Sequence, residues 1–332
     1  MSSWSSPMRS GRRMLALTLA VVAFAACDDP RARTESPRPL VVASVYPLYD
    51  FARQVAGDRA EVVSLVPAGI EPHDWEPSPR DVARVAKATV FVYNGAGFDA
   101  GAERLAKTVA AGRTVVEATA GLDLLAVDLP GHEKHSDKPH DKKHENKKHG
   151  HAKAEPAERD PHVWLDPTLA RAQVEAIRAG LAKADPPNAA HYAERAAKYS
   201  ARLTALHETF VAGLRDCKRR EIVVSHAAFT YLARRYGLLQ VPVMGISPEA
   251  EPSPAELARV VRVVRRLKVK AVFAETLVSG RLAETLAAEV GARTLVLNPV
   301  EGLTADEEKA GKDYVAVMED NLKNLRLGLE CP

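Results

Sequence analysis

The run LVVASVYPLYDFARQVAGDRAEVVSLV, residues 40–66, decides the fold. Residues 40–45 are a short apolar stretch rich in valine, which reads as a buried strand. Residues 48–56 read as a helix and 61–66 as a second strand. The same alternation continues outward, with a helix at 79–88, a strand at 89–93, a helix at 99–110 and a strand at 114–117. Further along, residues 167–184 have helical period, with Leu169, Val174, Ile177 and Leu181 on one stripe. Asn188 is expected to cap a second helix that runs to about Leu214 and carries Tyr192, Tyr199, Leu203, Leu206 and Phe210. At a rise of 1.5 Å per residue it is about 40 Å long, enough to span two lobes. Strands then follow at 221–225, 241–246, 269–274 and 294–297, alternating with helices at 229–236, 255–267 and 280–290, and a helix at 313–327 closes the series. Such alternation implies an α/β fold: two lobes, each a parallel sheet with helices on both faces, flanking one long helix.

Composition agrees with a folded chain. The 332 residues are 46% hydrophobic and 27% charged, and the length suggests two domains or one large one. A net charge of +3 implies no polyanionic partner, and 5% aromatic residues give little for base stacking, so no nucleic-acid role is expected. Arg9, Arg12 and Arg13 precede an apolar run from Met14 to Ala26, the layout of a secretory signal over residues 1–26. Phe24-Ala25-Ala26-Cys27 resembles a bacterial lipobox, with Phe24 where Leu is usual. On this reading Cys27 is acylated and tethers the protein to a lipid bilayer outside the cytoplasm, with residues 27–39 as the linker. The alternative is ordinary cleavage that leaves Cys27 a free thiol. Cys217 and Cys331 then remain, and in an oxidising compartment they would pair; the alternative is two unpaired thiols.

Residues 131–153 are almost entirely His, Lys, Asp and Glu. Such a segment buries no core and is expected to be disordered without a ligand. His132, His135, His140, His144, His149 and His151 lie in or beside it, more imidazole than solubility needs, and suggest weak auxiliary metal capture rather than a solvated linker alone. The domains are therefore expected at 40–187, containing this insert, with a linking helix at 188–217 and a second lobe at 218–332.

Ligands of α/β sheets bind just beyond the carboxyl ends of strands. His73 follows the strand at 61–66, His226 ends the strand at 221–225, Glu301 follows the strand at 294–297, and His162 stands just before the helix at 167–184. Each histidine alone is weak evidence. Three imidazoles and a carboxylate together form a tetrahedral set suited to Zn²⁺, which takes nitrogen more readily than Mn²⁺ or Mg²⁺ do. His191 and His207 fall inside the long helix and read as surface residues. Two further motifs offer competing readings. His144-Glu145-Asn146-Lys147-Lys148-His149 has one residue too many for a metalloprotease helix. Gly95-Ala96-Gly97-Phe98-Asp99-Ala100, with Glu117 ending the next strand, has the spacing of a dinucleotide fingerprint and would make the chain an NAD-dependent oxidoreductase. Export to a compartment without NAD, and a fingerprint on the third strand rather than the first, disfavour that reading.

Four segments carry a family resemblance: Glu71-Pro72-His73-Asp74-Trp75-Glu76-Pro77-Ser78, Asp160-Pro161-His162-Val163-Trp164-Leu165-Asp166-Pro167, Ser225-His226-Ala227-Ala228-Phe229 with Tyr231-Leu232, and Leu297-Asn298-Pro299-Val300-Glu301-Gly302-Leu303-Thr304. In this order, with a His-rich insert between the first two, they resemble the metal-binding segments of the zinc and manganese ABC-transporter solute-binding proteins, the cluster A-I family, over about residues 38–331. The resemblance implies two four-stranded lobes joined by a rigid helix and one metal between them, delivered to a membrane permease by a monomeric receptor that is not an enzyme. It implies His73, His162, His226 and Glu301 as ligands, with Glu71 as a stand-in for Glu301 and Glu275 as a structural neighbour. His at position 226 argues for zinc over the manganese or iron(II) alternative. The family's paired cysteines match Cys217 and Cys331.

Overall fold

The computed structural model describes residues 38–109, 112–127, 159–248 and 252–332. The expected leader at 1–26, Cys27 and the His-rich segment with its six histidines lie outside the described residues.

Val41, Val42 and Ala43 are fully buried, so β1 (Leu40–Ala43) is covered on both faces, as its unbroken apolar run requires. The chain turns at Ser44 and Val45 into α1 (Tyr46–Ala56), whose Pro47 stands in the first turn where no intrahelical donor is needed. β2 (Glu61–Ser64), α2 (Pro79–Lys87), β3 (Val90–Tyr93), α3 (Ala100–Val109) and β4 (Thr114–Glu117) follow. Ser78 and Asp81 form a reciprocal capping box that starts α2. The first sheet is parallel throughout, in the order β2-β1-β3-β4.

Two helices follow: α4 (Pro167–Ala184), which packs on the first sheet, and the longer α5 (Ala189–Leu214). A Cβ at Gly180 would overlap the Val116 side chain, so glycine lets α4 lie flush on β4. The second half repeats the first: β5 (Glu221–Val224), α6 (Thr230–Tyr236), β6 (Leu239–Pro242), α7 (Pro254–Leu267), β7 (Ala271–Ala274), α8 (Arg281–Val290), β8 (Arg293–Val296), then α9 (Ala305–Lys309) and α10 (Tyr314–Gly328). Its sheet is also parallel, in the matching order β6-β5-β7-β8. In each sheet the winding reverses beside the inner pair, at β1 and β3 and at β5 and β7, where α/β folds open a crevice.

α5 contacts α1 and α4 on one side and α6 and α10 on the other. Its buried Tyr192, Tyr199, Leu203, Leu206, Phe210 and Leu214 join the inner faces of both sheets into one apolar core. Smaller clusters lie under α2 and α3 and under α7 and α8. α10 reaches back to the first lobe: Tyr314 packs its ring 5.0 Å from that of Phe51, and its N–H donates to the Asp50 carboxylate. A disulfide joins Cys217, just past α5, to Cys331, as expected. Among the described residues no helix is long and apolar enough to cross a membrane.

Three local expectations need correcting. β6 begins at Leu239 rather than 241 and ends at Pro242 rather than 246. Gly237, at φ 66°, ends α6 and lets pairing begin at once, while Val243 and Met244 still donate to Val224 and Ser225 although their backbone has left the strand geometry. Asn188 precedes α5 but does not cap it, because its amide donates instead to the Asp185 carboxylate at 2.8 Å. His191 and His207 are half-buried rather than exposed, the first against the Ala56 carbonyl and the second against the Tyr236 hydroxyl.

Candidate metal centre

His226 stands two residues past β5, and Glu275 directly follows the neighbouring strand β7. Their adjacency at the switch of the second sheet lets one carboxylate hold the whole histidine. Glu275 Oε1 accepts the His226 backbone N–H at 3.0 Å, and the ring Nδ1 lies 2.8 Å from both carboxylate oxygens. His162 begins the short turn Val163–Leu165 and is held in the same way. Asp160 Oδ1 accepts both its backbone N–H and its Nδ1–H, each at 2.9 Å. His73 lies in the turn Pro72–Asp74, and its N–H donates to the Glu71 carboxylate at 3.2 Å.

With Nδ1 directed at a carboxylate, each held imidazole turns Nε2 inward. Glu301 Oε1 lies 3.0 Å from Nε2 of His162, 3.3 Å from that of His226 and 3.5 Å from that of His73. One donor atom from each of the four residues lies within 4.8 Å of the others. His162, His226 and Glu301 are buried, and the three Nε2 atoms and both Glu301 oxygens have no hydrogen-bond partner outside this cluster. Buried polar atoms left in that state are costly, so the cluster demands positive charge, either as protons or as a cation.

The titration of His162, His226 and Glu301 agrees. Burial disfavours charge on both imidazoles, but hydrogen bonds to Asp160 and Glu301 outweigh it at His162 and leave its pKa raised. At His226 the charges of Glu275 and Glu301 outweigh burial by more, and its pKa is well above 6.5. Burial alone would raise the Glu301 carboxyl, yet the charge of His226 and the hydrogen bonds from the three imidazoles bring it well below 4.5. A cation that takes three nitrogens and one oxygen in a tetrahedron replaces those protons, which is the chemistry of zinc.

Glu71, the expected stand-in, lies near Glu301 but outside the four-donor group. Burial, and then the charge of Glu301, push its carboxyl up to about 8. Phe98 covers the cluster with ring centroids 4.6 Å from His73 and 5.1 Å from Trp164. A groove of about 960 Å³ reaches Glu301 from outside, between α1 and the loop that follows Glu301.

The glycine-rich turn at 95–100 has its amides engaged internally. The N–H groups of Asn94 and Gly95 donate to Asp99, and that of Gly97 donates to Glu103 at 2.9 Å. Glu117 accepts the Tyr93 hydroxyl at 3.0 Å. The turn is thus built for the geometry of the loop that carries Phe98, with positive φ at Gly95, Ala96 and Gly97. Two functional contributions escaped the sequence. Asp160 opens one of the quoted segments, but only its position two residues before His162 hinted at its role. Trp164, which links the His162 and Glu301 loops through an indole hydrogen bond to the Pro299 carbonyl at 2.8 Å, left no comparable signal.

The family model described as zinc-uptake complex component A, periplasmic, matches residues 41–328. The chain is 38% identical over 287 residues to the high-affinity zinc uptake system protein ZnuA of Bacillus subtilis strain 168, covering 86% of each. It is also 38% identical over 314 residues to the zinc-binding lipoprotein AdcA of Streptococcus pneumoniae, covering 94% of this chain but 60% of that protein. Among solved structures, the Zn(II)-bound ZnuA-like domain of Streptococcus pneumoniae AdcA superposes with a TM-score of 0.70 at 38% identity, over 88% of this chain and 99% of that one. The laminin-binding protein of Streptococcus agalactiae gives a TM-score of 0.74 at 30% identity, with the same coverage of 88% and 99%.

Proposed function

The chain belongs to the ZnuA family of periplasmic zinc-uptake components, and from that premise we propose that it is an extracytoplasmic receptor that captures Zn²⁺ and delivers it to an ABC-transporter permease. His73, His162, His226 and Glu301 supply the four ligands, two from each lobe of an assembly with boundaries at 40–187, 188–217 and 218–332. The observation that carries this reading is the convergence of three Nε2 atoms on Glu301 while Asp160 and Glu275 hold the Nδ1 atoms of His162 and His226. Capture and release need no bond-making chemistry, so the protein acts as a carrier rather than an enzyme. All four donors come from one chain, which supports a monomer. The leader, with acylation at Cys27, would keep the receptor at the membrane that holds its permease. The histidines of the insert, His132, His135, His140, His144, His149 and His151, would collect zinc weakly nearby.

The test is metal competition on stripped protein. With residues 131–153 deleted, one tight Zn²⁺ per chain should remain, and a large excess of Mn²⁺ should not displace it. His226→Ala should abolish the tight site. Preferential retention of Mn²⁺ or iron(II), or no tight site at all, would overturn the assignment.

A further inference from the structure

Val300 immediately precedes Glu301, is fully buried, and has φ of +60°. Left-handed backbone crowds the Cβ against the neighbouring carbonyl, and β-branched residues rarely adopt it. Of the four non-glycine residues with positive φ among those described, Val300 alone is β-branched. Its strain is held in place from both lobes. The Val300 N–H donates to Asn298 Oδ1 at 2.7 Å. Asn321, on α10, accepts from the Asn298 N–H at 2.8 Å and donates to the Asn298 carbonyl at 2.7 Å. Trp164, two residues past His162, donates to the Pro299 carbonyl between them at 2.8 Å. Three successive residues before the carboxylate ligand are therefore pinned. Strain kept by so many partners marks a position whose geometry matters.

We infer that Val300 is a specificity-determining positioning residue. Its left-handed backbone, locked by Trp164 and Asn321, fixes Glu301 against the three imidazoles and so favours a four-coordinate zinc ion over ions that need more oxygen. The inference rests on the zinc reading above. Manganese prefers carboxylate and water in octahedral arrangements, so it needs a carboxylate that can swing to bidentate contact or make room for water. An arm held at Asn298, Pro299 and Val300 does neither.

Val300→Gly and Val300→Ala separate strain from packing. Alanine loses almost as much side chain but keeps a Cβ in the crowded position, whereas glycine frees the backbone. Zinc and manganese affinities of the stripped, full-length variants are measured by competition against a chelating dye, and the zinc shell by X-ray absorption. Val300→Gly should lose roughly 10-fold in zinc affinity, the scale of disturbing a ligand's support. Its zinc-over-manganese ratio should fall with it, an additional light scatterer should appear around zinc, and the metal-free protein should melt above Val300→Ala. Val300→Ala should keep the wild-type ratio. Trp164→Phe, which removes the indole donor, should shift the ratio as Val300→Gly does and serves if a Val300 variant fails to fold. An unchanged ratio in both Val300→Gly and Trp164→Phe, or an equal fall in Val300→Ala, would overturn the inference. A wild type without a tight zinc would instead remove the zinc reading, and the inference with it.

Discussion

Glu275 grips His226 by backbone and ring at once, and Asp160 does the same for His162. A carboxylate behind an imidazole fixes its tautomer and makes Nε2 a better donor to a metal. Glu275→Gln keeps a hydrogen-bond acceptor but loses the charge, and should weaken zinc binding about 10- to 100-fold; wild-type affinity in a competition titration would deny it that role. The raised imidazoles carry a second consequence. Without metal, a histidine whose folded pKa is raised stabilises the fold fully below 6.5, and that contribution is lost as pH rises through the folded value. Glu301 works from the other side: its lowered pKa stabilises above 4.5 and is lost as pH falls through the folded value. The melting temperature of metal-free protein should therefore fall as pH is raised above 6.5, while zinc affinity keeps increasing as the competing protons leave. Calorimetric melting and zinc titration at several pH values check both, and a metal-free melting temperature that rises over that range would contradict the assigned shifts. Three of the proposed ligands are legible because chemistry-bearing residues after apolar strands stand out, and His162 is legible from the Asp-Pro-His segment before α4. The role of Asp160 is not, since spacing along a chain does not show which carboxylate faces a ring nitrogen. Nor is the backbone of Val300, because valine is a residue from which left-handed geometry is not expected.

α5 is legible in the sequence nearly to its ends, since its aromatic and leucine stripe has a single helical solution, and Tyr192, Tyr199, Leu203, Leu206 and Phe210 are all buried. β6 was displaced because hydropathy marks the residues that pair, and pairing outlasts the regular strand at Val243 and Met244. Asn188 failed as a cap because a competing acceptor, Asp185, was invisible until the preceding turn was seen. Phe210 is fully buried on α5 and stacks on Tyr236 with centroids 5.1 Å apart. Phe210→Ala should cost about 3–5 kcal/mol in a urea unfolding measurement; a loss below 1 kcal/mol, the scale of a surface change, would mean that the linking helix does not depend on this contact. The disulfide at the far end of α5 links residues 114 apart. Cys331→Ser should lower stability by about 2–5 kcal/mol. Adding a reductant should then bring the wild type down to the variant, and a remaining gap would assign the loss to packing instead.

At the scale of the molecule, the two sheets share one apolar core rather than meeting across a polar seam. Such a core resists the hinge motion by which many two-lobed receptors close. Zinc-free and zinc-loaded protein should give the same radius of gyration by X-ray scattering, with changes in amide exchange confined to the loops at 67–77 and 298–304. Compaction of several ångströms on zinc binding would show that the lobes move as bodies. The shared core also orders events during biosynthesis. Asp50 on α1 accepts from the Tyr314 N–H 264 residues later, and Phe51 beside it waits for the Tyr314 ring. A ribosome delivers α1 long before α10, so the first lobe cannot finish closing while translation continues. Contacts of such long sequence separation form slowly. The first lobe therefore reaches its final packing only once the last helix has been made.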